Sequence, residues 1–187
     1  MTTPEVLDLP DATAWEAWLE RHHAERPEAW LRIAKRGRGH VSLSISDALD
    51  GALCFGWIDG QRRALDEVSY LQRYCPRRPR STWSQVNVEK VEALVAAGRL
   101  RPAGLAEVER AQADGRWAAA YERQATATTP PDLAAALDAS PAARTAYDAL
   151  GRSERYAVAL PVLRAVGEAA RARAVTRAVT RLTDAAR

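Results

Sequence analysis

Apolar and polar positions follow two rhythms along this chain: a period near two between about Trp30 and Tyr74, and helical spacing on either side. Ala14, Trp15, Trp18, Leu19 and His22 recur at helical spacing. Thr13 and Glu16 predict a capping box with Thr13 as N-cap, and Pro27 bounds the helix. Trp30 to Lys35 predicts a strand that ends in a Gly37–Gly39 turn. Val41, Leu43 and Ile45 alternate with Ser42 and Ser44, an extended pattern. Ser46 is then placed to cap a short helix, Asp47 to Phe55, which Gly56 ends. Two strands follow, Trp57 to Leu65 and Val68 to Tyr74, joined at Asp66-Glu67, with Asp59-Gly60 as either a hairpin turn or a bulge. Pro76 and Pro79 make Arg77 to Arg80 a stiff, non-helical loop.

Helical spacing then takes over. Ser81 or Ser84 caps a helix with Val88, Val91, Leu94 and Val95 that stops at Gly98. Pro102 opens another, with Leu105 and Val108, that stops at Gly115. Thr126 to Pro131 reads as a linker. Shorter helices are predicted from Asp132 to Asp138, from Pro141 to Leu150 after Ser140, and from Ser153 to Leu163. In a last helix, Glu168 to Thr183, an apolar stripe of Val175, Val179 and Leu182 lies apart from an i,i+4 row of Arg173, Arg177 and Arg181. The pattern predicts an α+β fold, mainly helical, with a small antiparallel sheet in the N-terminal half packed on a helical C-terminal half. The predicted organisation is a core domain over 1–124, a linker over 125–131 and a helical segment over 132–187.

Composition narrows the function. The 187 residues, 47% of them hydrophobic, are enough to bury a core and too apolar for a disordered chain. No run approaches the roughly 20 apolar residues of a membrane span, and the N-terminus has no signal-like pattern. A cytoplasmic location is expected. Two cysteines form no disulfide framework, and no Cys-x-x-Cys spacing occurs. Buried small residue is the reading for Cys54, which lies between Leu53 and Phe55, whereas Cys75 sits before a proline beside arginines, which favours a thiolate where the thiol is exposed. His22, His23 and His40 have no metal-ligand spacing, so neither metal nor cofactor is expected. Net charge is only +3, from 27 basic against 24 acidic residues. The arginines are nevertheless clustered, six between Arg62 and Arg80 and six between Arg164 and Arg187, which raises the question of an anionic partner. Most of the six tryptophans fall in the first half of the chain, either as core or as the lining of a pocket.

Two segments are dense in chemistry: Ala52-Leu-Cys-Phe-Gly-Trp-Ile-Asp-Gly60 and Pro76-Arg-Arg-Pro-Arg-Ser-Thr-Trp-Ser-Gln-Val-Asn87. They resemble the signatures of the bacterial YdeI/OmpD-associated, bacteriocin-protection family. Trp15 to Leu19, Ala29-Trp-Leu31 with Lys35, Pro102-Ala-Gly-Leu105 and Asp114-Gly-Arg-Trp117 fit the same pattern in order, as do Pro131-Asp132-Leu133 and Arg155-Tyr156-Ala157. The last helix departs. It keeps Arg171 and Arg173 of a basic motif but loses the preceding Thr and a third Arg. The resemblance implies association with envelope stress and a porin rather than a defined reaction.

The residues themselves suggest an anion site. Arg77, Arg78 and Arg80 present guanidinium forks on a proline-stiffened loop. Ser81 and Ser84 add hydroxyls at a helix start, Trp83 and Trp57 offer flat surfaces, and Asn87 lies one turn beyond Ser84. Asp59 is a candidate general acid or base, or a ligand-orienting carboxylate, and equally a turn former. The alternative is an arginine cluster neutralised by Asp59, Asp66 or Glu67. Three functions remain open: binding, with or without turnover, of a small carboxylate or phosphate; a non-catalytic, stress-associated interaction protein; and nucleic-acid binding, which the small net charge and the lack of a recognised module disfavour. A monomer or weak homodimer is expected.

Overall fold

The computed structural model describes residues 5–37 and 42–185. Val41 of the expected extended segment, and Gly39 and His40, lie outside them. The elements run β1 (Val6–Leu7), α1 (Ala12–His22), β2 (Ala29–Ala34), α2 (Ile45–Cys54), β3 (Trp57–Ala64), β4 (Ser69–Pro76), α3 (Gln85–Ala96), α4 (Pro102–Ala113), α5 (Pro131–Asp138), α6 (Pro141–Ala149), α7 (Arg152–Leu163) and α8 (Glu168–Ala185). The fold is α+β and mainly helical. Two compact units form: Met1–Ser81 with Asn87–Asp114, and Thr82–Val86 with Gly115–Arg187. Among the described residues no helix is long and apolar enough to cross a membrane.

The N-terminal unit is built on a four-stranded sheet in the order β1-β2-β4-β3. The sheet is mixed rather than purely antiparallel, because the two-residue edge strand β1 runs parallel to β2, whereas β2 and β3 both pair antiparallel with β4. The register slips between Asp59 and Arg62, so Asp59-Gly60 is a bulge inside one continuous strand and not a hairpin turn. The real turn is at Asp66. Its carboxylate accepts from the Val68 and Ser69 amides and from the Ser69 hydroxyl, at 2.9, 2.6 and 2.7 Å.

Helix α1 starts two residues earlier than the capping-box pattern implied. Asp11 is the N-cap, accepting from the Ala14 amide at 2.9 Å, and Thr13 lies inside the helix. Ser44, not Ser46, caps α2 by accepting from the Asp47 amide at 3.1 Å. In both cases several oxygen-bearing side chains stood near the helix start, and the one with extended backbone took the position. The buried face of α3 is Asn87, Val91 and Leu94, and Val95 is exposed. Trp15, Leu19, Leu31, Ile33, Ala48, Ala52 and Trp57 form the interior, with Tyr74 from β4. Helices α2 and α4 meet at Gly104, where a β-carbon would overlap the Cys54 carbonyl oxygen. Gly56, with φ +73°, ends α2 and turns the chain into β3.

The C-terminal unit is helical. Leu133 and Leu137 of α5, Ala143 and Tyr147 of α6, Ala159 and Val162 of α7, and Ala174, Ala178 and Leu182 of α8 form its core. The buried stripe of α8 is therefore the alanines with Leu182, and Val175 and Val179 are only partly covered. Arg171 grips Asp132 with two hydrogen bonds, Nε to Oδ2 at 2.6 Å and Nη2 to Oδ1 at 2.9 Å, which ties the start of α8 to the start of α5. The segment 82–86 adds to this unit through Trp83, whose ring lies 4.8 Å from that of Trp117, and through an isolated bridge between Ser84 and Tyr121.

Candidate functional site

The β3–β4 ladder determines where the first group of predicted residues falls. Trp57 pairs with Pro76, and the Arg77 amide donates to the Gly56 carbonyl at 3.0 Å, so Trp57 and Arg77 share one end of the ladder. Both are buried. The Trp57 indole N–H donates to the His23 carbonyl at 3.2 Å, and its ring stands edge-on to those of Trp15 and Trp18, 6.4 and 6.0 Å between centres. Asp59, two residues along the same strand, is exposed and pairs in register with Tyr74. Burial, and then the Asp59 charge, push the Tyr74 phenol far above its ordinary range. Arg78 and Ser81 close the loop on themselves: the Arg78 amide donates to Ser81 Oγ at 3.1 Å and the Ser81 amide to the Arg78 carbonyl at 2.9 Å.

The arginines of this region serve different ends. Arg62 lies 4.4 Å over the Tyr70 ring and Arg63 4.4 Å over Trp30, and Arg73 pairs with Glu28 at 2.6 Å. Asp66, one of the three carboxylates that the alternative reading offered to the loop, pairs with Arg32 at 2.9 Å. Arg78 and Arg80 are exposed, and neither side chain pairs with a carboxylate among the described residues. Asn87 is buried at the start of α3. Trp83 and Ser84 belong to the other compact unit. Cys54 is buried, which pushes its thiol up to about 11 and takes it away from nucleophilic chemistry near neutral pH.

A second set of residues, not singled out by sequence reasoning as a site, gathers in the C-terminal unit. A cavity of about 560 Å³ is lined by Gln124, Thr129, Tyr147, Arg152, Arg155 and Tyr156, among others. The α6–α7 turn places them: Tyr147 is on α6, and Arg152, Arg155 and Tyr156 are on the first turns of α7. Thr129 Oγ1 and the Tyr147 hydroxyl are 2.9 Å apart, and the Tyr156 hydroxyl donates to the Glu122 carbonyl at 2.9 Å. Arg155 donates through Nη2 to the Asp148 carbonyl at 2.6 Å, while its buried Nε–H has no hydrogen-bond partner among the described residues. Arg152 donates to the Ala125 carbonyl. Neither guanidinium pairs with a carboxylate among the described residues. The available signal was the quoted Arg155-Tyr156 pair. Its convergence with Thr129 and Tyr147 is tertiary.

Fold and cavity together define an α+β protein whose helical C-terminal unit carries a cationic, tyrosine-walled cavity. Residues 7–107 match the family model described as a domain of unknown function, DUF8412, and residues 126–184 match the model described as bacteriocin-protection, YdeI or OmpD-associated. The chain belongs to the family of the first domain, which spans more than half of it, and its C-terminal helices carry the match to the YdeI/OmpD-associated model. The second match contains Pro131-Asp132-Leu133 and Arg155-Tyr156-Ala157, whereas the motifs at 52–60 and 76–87 fall inside the first. No curated protein and no solved structure gives a significant match.

Proposed function

We propose that the protein binds a small anionic compound, a carboxylate or a phosphate, in the cavity lined by Arg152 and Arg155. The observation that supports this is two guanidinium groups at one cavity, neither of which pairs with a carboxylate among the described residues. A cavity of about 560 Å³ lies within the roughly 300–1,000 Å³ of small-molecule sites. Guanidinium forks recognise planar or tetrahedral oxyanions through paired N–H donors. The Arg155 Nε–H is a buried donor that a ligand oxygen would satisfy, and the two tyrosine rings provide walls for an apolar body. Isothermal titration with inorganic phosphate and with succinate tests this. Losing a charged hydrogen bond costs about 1.5–3 kcal/mol, so R155Q should weaken binding about 10- to 100-fold. Absence of saturable binding to either anion would overturn the proposal.

The arginine loop supports a second reading, because Arg78 and Arg80 are exposed without carboxylate partners and Asp59 is exposed as well. Here the loop with Trp57, Arg77, Ser81 and Asn87 of the same unit serves the anion, and Asp59 orients it or moves a proton. Loss of binding in R78Q/R80Q, with R155Q unaffected, would favour this reading. A non-catalytic interaction role agrees with the description of the family that residues 126–184 match, which names protection and association rather than a reaction. Nucleic acid is the least favoured partner at a net charge of +3; an affinity for single-stranded DNA that falls steeply with salt would reverse that order. We place the protein in the cytoplasm as a monomer or weak homodimer, which fractionation and light scattering test.

A further inference from the structure

A trough of about 490 Å³ runs between α7 and α8. Ala174, Ala178 and Leu182 of α8 form its buried floor, and Ala157, Val158 and Pro161 of α7 line its other side. Arg177 and Arg181, one turn apart on α8, line it too. Both are exposed, and neither makes an ion pair or hydrogen bond with a described residue. Arg173 continues the same row, also without such a partner. Like charges at i,i+4 disfavour a helix, and Asp184, three residues beyond Arg181 on α8, makes no ion pair with it among the described residues. The one carboxylate lining the trough, Glu154, is occupied at the start of α7, where it accepts from the Gly151 amide at 2.8 Å.

Shape and charge together select the occupant. The trough, about 490 Å³ in volume, lies within the range of small-molecule sites. Alanines along both sides make it narrow and apolar, and the paired arginines sit at its edge. We propose that this trough binds an amphiphilic carboxylate, with an alkyl chain along Ala157, Ala174, Ala178 and Leu182 and the carboxylate held between Arg177 and Arg181. The trough shares Leu150 but neither arginine with the cavity of Arg152 and Arg155, and the proposal does not depend on that cavity.

Titration of the full chain with decanoate, below its micelle concentration, tests the proposal by calorimetry and by amide chemical shifts. Decan-1-ol supplies the chain without the charge, and acetate the charge without the chain. Decanoate should bind saturably with shifts centred on Ala157, Arg177 and Ala178, while decan-1-ol and acetate bind at least tenfold more weakly. R177Q/R181Q should weaken decanoate at least tenfold and leave the melting temperature equal or higher. A157W, at an exposed position, should block the trough, and inorganic phosphate should not displace decanoate. Equal affinity for decan-1-ol, unchanged affinity in R177Q/R181Q, shifts centred elsewhere, or no saturable binding would each overturn it. Because Arg177 and Arg181 are exposed and unpaired, the double variant keeps the test decisive even if A157W folds poorly.

Discussion

The Arg155 guanidinium lies 5.6 Å from the centre of the Tyr147 ring, and the Tyr147 hydroxyl meets Thr129 Oγ1 at 2.9 Å. One tyrosine therefore links the cationic wall of the cavity to the segment leading into α5. Its ring and its hydroxyl contribute differently. Tyr147→Phe keeps the buried ring and should cost about 0.5–1.5 kcal/mol of stability, whereas Tyr147→Ala should cost about 3–5 kcal/mol, as for other large aromatic deletions. Arg155→Lys keeps the charge and loses the fork, so it should not restore the phosphate affinity lost in R155Q. Urea melts and phosphate titrations of the four variants check both statements.

Gly104 is required by contact. A β-carbon there would lie 2.9 Å from the Leu53 carbonyl oxygen and closer still to that of Cys54. Both neighbours are backbone at the end of α2, so neither can turn away as a side-chain tip would. Gly104→Ala raises helix propensity and should nevertheless lower stability by about 1–3 kcal/mol through overpacking. The urea midpoint should fall with little change in slope.

Asp66 gives the β3–β4 turn its acid sensitivity. The hydrogen bond from the Ser69 hydroxyl, then those from the Val68 and Ser69 amides and the Arg32 charge, hold its carboxyl down to about 2 in the folded protein. An ordinary aspartate in the unfolded chain titrates near 3.9. The folded value is the lower one, so the stabilisation is complete above about pH 4 and is lost as pH falls through about 2. Asp66→Asn removes this titration. Its deficit relative to the parent chain should be largest near neutrality and shrink between pH 4 and pH 2, as read from urea midpoints across that range.

The sequence carries its elements more legibly than its contacts. Prolines and glycines marked real boundaries: Pro102, Pro131 and Pro141 each open a helix, and Gly98 and Gly115 follow α3 and α4 with φ +64° and +79°. Caps were less legible, because Asp11, Thr13, Ser44 and Ser46 offer the same chemistry within two residues of one another and only backbone conformation chooses between them. The parallel pairing of β1 was hidden for another reason, since two residues are too few to show a period. The arginine-rich stretch could not be apportioned from spacing alone. Arg62 and Arg63 cover aromatic rings, Arg73 meets Glu28, and Arg78 and Arg80 reach solvent. The Arg152–Arg155 cavity draws on residues from Gln124 to Ala159, a convergence set by how α5, α6 and α7 pack.

Arg171 and Arg173 stand two residues apart in the last helix and should behave differently. Arg171 grips Asp132 bidentately and holds its carboxyl below the ordinary carboxylate range, whereas Arg173 is exposed and meets no described partner. Both members of the Asp132–Arg171 pair are more than a third exposed, so solvent screening limits the pair to about 1 kcal/mol or less. A double-mutant cycle with Asp132→Asn and Arg171→Gln should return a coupling of that size at pH 7. The depressed carboxyl makes the coupling fully present above the unfolded aspartate value and lost as pH falls through the folded one, so at a pH below the folded value the cycle should close near zero. Arg173→Gln in place of Arg171→Gln should give no coupling with Asp132 at either pH. Coupling to Arg173, or none to Arg171, would remove the ion pair as the tie between the starts of α5 and α8.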